Sequence, residues 1–118
     1  MTDEEYSQAM KHELASAEIA LRAGNAGMVR VCARRAAGMA IRWFLERRPQ
    51  AGWKDDMMWQ LQRISTEKSF PESVREAARR LCAHVTPDFS YHSSATPLGD
   101  AREIIGYVSA TLTEDDVR

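Results

Sequence analysis

The sequence predicts an all-α protein, an up-down bundle of four to five helices. The main observation is a long central segment, residues 28–48, whose apolar residues recur at helical period and form a broad apolar arc. A shorter amphipathic segment precedes it across a short loop of Gly, Asn and Ala, and three more helical segments follow. A helix with so wide an apolar face needs several covering helices, so we expect residues 28–48 at the centre of the bundle.

The central segment is predicted to bury one side and to expose the other. Small residues around Gly38 should let neighbouring helices approach closely, which would offset the cost of about 1 kcal/mol that Gly carries in a helix interior. The arginines, Arg30 among them, are predicted to form a solvated face, which is interrupted by the apolar residues Val31, Ile41 and Leu45. The predicted apolar arc consists of Met28, Val29, Cys32, Ala33, Ala36, Met39, Ala40, Trp43 and Phe44.

Four further helices complete the predicted bundle. The first begins near Thr2, where a capping box with Glu5 is expected, and ends at Gly24. The third covers residues 53–66, the fourth begins at a capping box of Ser69 and Glu72 and continues to residue 85, and the last covers residues 100–112. Residues 86–98 are predicted to be a loop and residues 113–118 a fraying tail. The inward residues predicted for the first, third, fourth and last helices include Tyr6, Met10, Leu14, Ala17, Leu21, Met57, Leu61, Ile64, Val74, Ala77, Ala78, Leu81, Leu98, Ala101, Ile105, Val108 and Leu112.

Composition places the chain among ordinary globular proteins. Its 118 residues are predicted to form a single domain over residues 1–118, and 44% of them are hydrophobic. The formal net charge of −1 gives no overall attraction to nucleic acid or to an anionic membrane. Charges interrupt every apolar stretch, and the N-terminus lacks the apolar run of a signal peptide. Cys32 and Cys82 lie in apolar helical patterns, which favours two buried thiols and a cytoplasmic location.

Two stretches resemble the HEPN family (higher eukaryotes and prokaryotes nucleotide-binding) of small helical bundles. They are SAEIALRAGNAGMVRVCARRAAGMAIRWFL at residues 16–45 and GDAREIIGYVSATL at residues 99–112. The resemblance covers nearly the whole chain and implies a bundle of four to five helices that is often dimeric. It also implies one of two activities. Many members of the family resemble ribonucleases, whereas others are non-catalytic partners of a minimal nucleotidyltransferase, as in toxin–antitoxin pairs, or nucleotide-binding modules.

The resemblance implies one candidate pair of catalytic residues, Arg79 and His84. Ribonucleases of this family carry an Arg followed after four to six residues by a His, and here the two residues have that spacing. A His can act as general acid or base on a 2′-hydroxyl, and an Arg can hold the phosphate. Two features oppose this role: Arg80 replaces the small polar residue that usually follows, and on a continuous helix the two side chains would diverge by about 140°.

A second candidate is a binding site formed by Arg80, Tyr91 and His92. Arg80 shares a helix face with His84, and the long loop that contains Tyr91 and His92 could approach that face. The alternative is a solvated basic helix end beside an ordinary surface loop. The three His and two Cys residues have no metal-ligand spacing, and no Gly-rich phosphate loop or nucleophile elbow is present in the sequence, so neither a metal nor a cofactor is predicted.

The sequence therefore leaves two classes of function open. The first is a HEPN-like binding or regulatory module that forms a homodimer through Val31, Ile41 and Leu45 and pairs with a nucleotidyltransferase. The alternative is a metal-independent ribonuclease that uses Arg79 and His84. The near-neutral net charge favours the first, because phosphate contacts need a basic surface, so RNA or a nucleotide is the less favoured partner.

Overall fold

The computed structural model describes residues 1–83 and 95–117, and this part of the chain forms five α-helices and no strand. They are α1 (Asp3–Arg22), α2 (Ala26–Arg47), α3 (Met57–Thr66), α4 (Glu72–Cys82) and α5 (Pro97–Val117). The predicted all-α bundle of four to five helices is therefore confirmed. Across the described residues, we find no helix whose length and apolar character would let it span a bilayer.

The first two helices form an antiparallel hairpin. The predicted capping box begins α1: the Glu5 amide donates to the Thr2 hydroxyl at 3.1 Å, and the Thr2 amide donates to the Glu5 carboxylate at 2.9 Å. Gly24 adopts a φ of +72° in the turn, a conformation that other residues rarely adopt. Asn25 then caps α2 by accepting a hydrogen bond from the Met28 amide at 3.1 Å.

Asp3 closes the other end of the hairpin. Its carboxylate accepts a hydrogen bond from the Trp43 indole at 2.9 Å and one from Arg47 at 2.8 Å. Hydrogen bonding by Trp43 is the main reason that the pKa of Asp3 lies below its usual value. The start of α1 is thus held to the end of α2.

Helix α2 is the centre of the bundle, and its small residues determine the packing. It packs extensively against α1 and α5. Four of its five alanines, Ala33, Ala36, Ala37 and Ala40, are completely buried, and their small side chains let both neighbouring helices approach. Gly38 has the same effect for α3: a Cβ at this position would lie 2.7 Å from Met57 Sδ. The predicted reason for Gly38, close packing, is confirmed.

The orientation of α2 differs from the prediction. Ile41, which was expected to face outward, is 1% exposed, and Arg30, expected in solvent, is 6% exposed. Met28, expected in the core, is 44% exposed, and Met39 and Trp43 are only half-buried at the edge of the core. The physical reason is steric, because only the alanine side of α2 is narrow enough to lie between two closely packed helices.

Further core positions were also predicted incorrectly: Leu14 and Met57, which were expected to face inward, are only half-buried. Leu21 was expected to face inward but is 59% exposed. In α5, Ile104 is buried and Ile105 is half-buried, the reverse of the prediction. The remaining inward residues of α4 and α5 in the described part are Val74, Ala77, Ala78, Leu81, Leu98, Ala101, Val108 and Leu112, as predicted.

Several helix boundaries also differ from the prediction. Helix α3 begins at Met57, after Asp56 caps it by accepting from the Trp59 amide at 3.1 Å. The predicted Ser69 cap is absent, because the N-cap of α4 is Pro71, which makes no side-chain hydrogen bond. Helix α5 begins at Pro97 and includes the predicted fraying tail as far as Val117.

Ion pairs explain the extra length of α5. Asp115 near its end pairs with Arg48, and Asp116 pairs with Arg47, both at the end of α2. These contacts tie the last turns of α5 to the centre of the bundle, so the helix does not end at residue 112. Because the two C-terminal ends meet, α5 runs parallel to α2.

A substitution tests the orientation of α2. We expect Ile41→Ala to lower the free energy of unfolding by about 2–5 kcal/mol, the usual cost of truncating a fully buried Ile. The matched control is Ile19→Ala in α1, where the side chain is 61% exposed and the cost should stay within about 0.5 kcal/mol. Urea denaturation measures both. Equal stability of Ile41→Ala and the wild type would place Ile41 on the surface.

Candidate functional site

The structure describes only part of the predicted site. Arg79 and Arg80 lie in the last turn of α4, whereas His84, Tyr91 and His92 lie outside the described residues. The predicted pairing of Arg79 with His84, and the grouping of Arg80 with Tyr91 and His92, therefore stay predictions.

Helix α4 ends earlier than predicted, at Cys82. The Ala83 amide still donates to the carbonyls of Arg79 and Arg80 at 3.1 and 3.2 Å, but Ala83 itself has an extended backbone. The helix therefore ends between Arg79 and His84. The divergence of about 140° was expected only on a continuous helix, so it does not apply here, and the pairing of Arg79 with His84 stays a prediction.

Arg79 is held by contacts within the bundle. Its guanidinium donates to the backbone carbonyl of Ser65 at 2.9 Å, in the last turn of α3, and pairs with Glu76 on its own helix. A basic group at the C-terminal end of a helix satisfies a carbonyl that has no partner within the helix and also favours the helix dipole. Arg79 thus acts as a cap that holds α3 against α4, and Glu76 competes with any phosphate for its charge.

Arg80 binds a buried carboxylate. Its Nε lies 3.1 and 3.0 Å from the two oxygens of Asp100, and its Nη2 lies 2.8 Å from one of them. The side chain of Asp100 is 4% exposed, and that of Arg80 is 33% exposed. Bidentate pairs of this kind are among the stronger hydrogen-bonded contacts in proteins. The pair joins the end of α4 to the first turn of α5.

A third arginine holds the end of α4 from the side of α2. The Nε of Arg34 donates to the Leu81 carbonyl at 2.6 Å, and its Nη2 donates to the Ala83 carbonyl at 3.3 Å. Nearby, burial raises the pKa of the Cys82 thiol, an effect that Arg34 partly opposes. A raised pKa keeps the thiol protonated and unreactive near neutral pH. Both cysteines are free thiols, as predicted, but only Cys32 is buried, whereas Cys82 is half-buried.

Sequence reasoning missed Asp100 and Arg34, although a signal for Asp100 was present. Asp100 and Ile104 are four residues apart and therefore share a helix face. Because Ile104 is buried, Asp100 also lies on the inward side of α5, and a buried carboxylate needs a cationic partner. The error at Ile105 concealed this requirement.

A second candidate surface lies along α2, on the side that α1 and α5 do not cover. The exposed or half-exposed side chains Met28, Val31, Arg35, Met39 and Arg42 share one side of the helix within an arc of about 80°, and we call them the open face of α2. Two adjoining pockets of about 330 and 310 Å³ lie at the C-terminal half of the open face, and both are lined by Arg42, Asp55 and Gln60. Glu13 of α1 and Met57 of α3 border the larger one.

Tyr6 lines the smaller pocket. Burial, together with a hydrogen bond to the Glu46 carboxylate, raises the pKa of Tyr6 to about 12. The phenol therefore stays protonated and acts as a hydrogen-bond donor. Among the residues that the structure describes, no group of three or more His, Cys, Asp or Glu residues is placed to hold a metal ion.

Comparisons of the chain with protein-family models, with curated proteins and with solved structures gave no match. The likeness to the HEPN family consequently stays a prediction from the sequence.

The buried ion pair gives a prediction about stability. We expect Asp100→Asn to lower the free energy of unfolding by about 1.5–3 kcal/mol, because hydrogen bonds between charged groups are lost while Arg80 keeps its charge. Glu103→Gln on the same helix is the control, since Glu103 is exposed and its loss should cost less than about 0.5 kcal/mol. Thermal or urea denaturation distinguishes the two. A stable Asp100→Asn variant would mean that the pair contributes nothing.

The ribonuclease alternative gives a prediction about activity. We expect no cleavage of single-stranded RNA by the wild type in excess chelator, because Arg79 is engaged by Glu76 and Ser65 and the net charge is near neutral. A ribonuclease that used His84 would instead lose about 10²–10⁴-fold in rate in His84→Ala. Gel analysis of RNA incubated with both proteins is the measurement. Cutting by the wild type alone would establish the ribonuclease.

Proposed function

We propose that this chain is a non-catalytic, HEPN-like binding or regulatory module that forms a homodimer through the open face of α2. The observation that carries the proposal is the exposure of that face on the most central helix of the bundle. Met28 is 44% exposed and Val31 is 37% exposed. Helix α2 packs against α1 and α5, and both residues lie on the side of α2 that these two helices do not cover. Apolar side chains on a helix of this kind favour a protein contact.

The homodimer surface expected from the sequence requires one change. Ile41 belongs to the core and Leu45 is half-buried, so of the three residues only Val31 keeps its expected exposure. Met28 takes the place of Ile41, because it lies three residues before Val31 and shares its side of the helix. The apolar contact is thereby moved toward the N-terminal end of α2.

The charges of the open face suit a contact between two identical copies. Arg35 and Arg42 supply positive charge, and Glu13 and Asp55 border the same groove with negative charge. In a two-fold symmetric interface, the same surface of each copy takes part in the contact, so that surface must be complementary to itself. A surface that carries both signs can satisfy this condition, whereas a uniformly basic surface would repel its copy.

The arginines of α4 support a non-catalytic role. Arg79 caps α3, and Arg80 binds Asp100, so the basic groups that the ribonuclease alternative would use already have structural partners. We extend the proposal to a partner protein, a minimal nucleotidyltransferase, on the resemblance of residues 16–45 and 99–112 to the HEPN family alone. Binding of RNA or a nucleotide is implied by the same resemblance, but the net charge of −1 supports it less.

Sedimentation equilibrium tests the homodimer. We expect the wild type to form a species of twice 13.3 kDa at micromolar concentration, and Val31→Glu to weaken the association by about tenfold or more, because a carboxylate would lose hydration at the interface. The matched control is Ile19→Glu, which places the same charge on an exposed apolar residue of α1 away from the open face.

The outcome separates three results. Dimerisation that is lost in Val31→Glu and kept in Ile19→Glu supports the open face. Equal effects of both variants would place the contact elsewhere. A wild type that sediments only as the 13.3 kDa species at high micromolar concentration contradicts the proposal.

A further inference from the structure

We propose that two copies of the chain associate antiparallel and that Met28 of each copy fills a pocket on the open face of the other. This inference rests on the proposed homodimer and adds its orientation and the residue that each copy contributes. The pocket is the larger of the two on the open face, with a volume of about 330 Å³, and we call it the groove pocket. The lining residues that matter here are Glu13, Arg35, Gly38, Met39 and Met57.

Part of the wall of the groove pocket is apolar. Gly38 has no side chain to fill the space, and a Cβ at this position would lie 2.7 Å from Met57 Sδ. Met39 and Met57 are both half-buried and line the same pocket. Ligand sites in proteins commonly have volumes of about 300–1,000 Å³, so a pocket at the small end of this range suits a single long side chain better than a large ligand.

Met28 is the side chain that suits this pocket. It is 44% exposed on the open face, and a methionine side chain is unbranched and flexible enough to fill an irregular space. Within one copy, Met28 lies about 16 Å from Met39 along α2, from a rise of about 1.5 Å per residue, so it cannot fill the pocket of its own copy. A second copy that runs antiparallel brings its Met28 to the level of Met39.

The charges beside the groove pocket favour the antiparallel orientation. When Met28 lies against Met39 of the second copy, the two-fold axis crosses α2 midway between these two positions. Arg35 and Glu13 line the same pocket and then lie close to the axis, so each Arg35 can approach Glu13 of the second copy. Neither Glu13 nor Arg35 forms an ion pair within the described part of the chain, so both charges are available for this contact.

A parallel arrangement of the two copies would have the opposite effect. With the two-fold axis along α2, Arg35 would lie level with Arg35 of the second copy, and Arg42 with Arg42, and like charges held close together repel. In the antiparallel arrangement, the two Arg42 residues are about 25 Å apart along the helix axis, which exceeds the screening length of about 8 Å at physiological salt. A parallel arrangement would also set Met28 against Met28 and leave the groove pocket unfilled.

Disulfide cross-linking on a non-reducing gel tests the orientation. On mild oxidation, we expect the double variant Met28→Cys/Met39→Cys to give a linked dimer of twice 13.3 kDa, because a disulfide needs Cα atoms about 4.4–6.8 Å apart. Met28→Cys alone is the matched control and should give no linked dimer, since its two copies would lie about 16 Å apart along the helix axis. The wild type, with its free Cys32 and Cys82, is oxidised alongside to show any linkage through these thiols.

The cross-linking results distinguish the two orientations. A linked dimer from the double variant alone supports the antiparallel arrangement. Linkage of Met28→Cys by itself indicates a parallel arrangement and overturns the proposal. A double variant that sediments as a dimer and gives no linked product also overturns it.

Nuclear Overhauser effects in the wild type cover the case in which Met39→Cys does not fold. Met28 and Met39 are too far apart within one copy to give an effect between their methyl groups, so such an effect arises only between copies. We expect it in the wild type and expect its loss in Val31→Glu. Its absence from a wild type that sediments as a dimer refutes the orientation and leaves the homodimer intact, whereas a wild type that sediments only as the 13.3 kDa species refutes the homodimer itself.

Discussion

Close packing at the alanine side of α2 is the constraint on which the rest of the structure depends. Four alanines with no exposed surface let α1 and α5 lie against α2, and no larger side chain fits there at the same helix separation. Two large residues of α2, Met39 and Trp43, consequently lie at the edge of the core, where they are half-buried. The same geometry turns Met28 and Val31 outward. The open face is thus a consequence of how the core is packed.

Arginines connect the helices at their ends. Arg34 reaches the carbonyls at the end of α4, Arg79 reaches a carbonyl of α3, and Arg80 reaches the buried Asp100 of α5. Each guanidinium satisfies acceptors that a helix end or a buried carboxylate would otherwise leave without partners, and an unsatisfied buried acceptor costs about 1–3 kcal/mol. In the sequence, the two arginines at the end of α4 resemble a phosphate-binding site. In the structure, Arg79 and Arg80 instead connect α4 to α3 and α5.

The sequence predicted the helices well and their rotations less well. Period, capping residues and Gly24 were enough to place α1 and α2, because these signals are local. The boundaries of α5 depended on Arg47 and Arg48, which are distant in sequence, and no local signal at Asp115 or Asp116 revealed those partners. Rotation errors at Ile41 and Ile104 arose because several neighbouring apolar residues compete for the inward side, and only the packing of a third helix decides among them.

At the candidate site, too, the features set by neighbouring residues could be predicted from the sequence, and the contacts between helices could not. The spacing of Arg79 and His84 is visible in the sequence, but the partners of Arg79 lie on another helix and could not be predicted from spacing. The early end of α4 at Cys82 was also missed, since Ala83 and His84 continue the pattern of a helix without a breaker. Arg30 could have been placed, because it lies seven residues before Ala37 and therefore nearly on the same side of α2.

The exposed apolar residues are concentrated near the turn between α1 and α2. Five large apolar residues are exposed in the described part of the chain, and four of them, Ile19, Leu21, Met28 and Val31, fall within residues 19–31. The core is complete without them, because Val29, Cys32 and Leu98 already fill the interior at this end. Exposed apolar side chains add nothing to stability and increase the risk of aggregation, so the proposed homodimer contact gives a reason for Met28 and Val31, whereas Ile19 and Leu21 lie on α1 outside the open face.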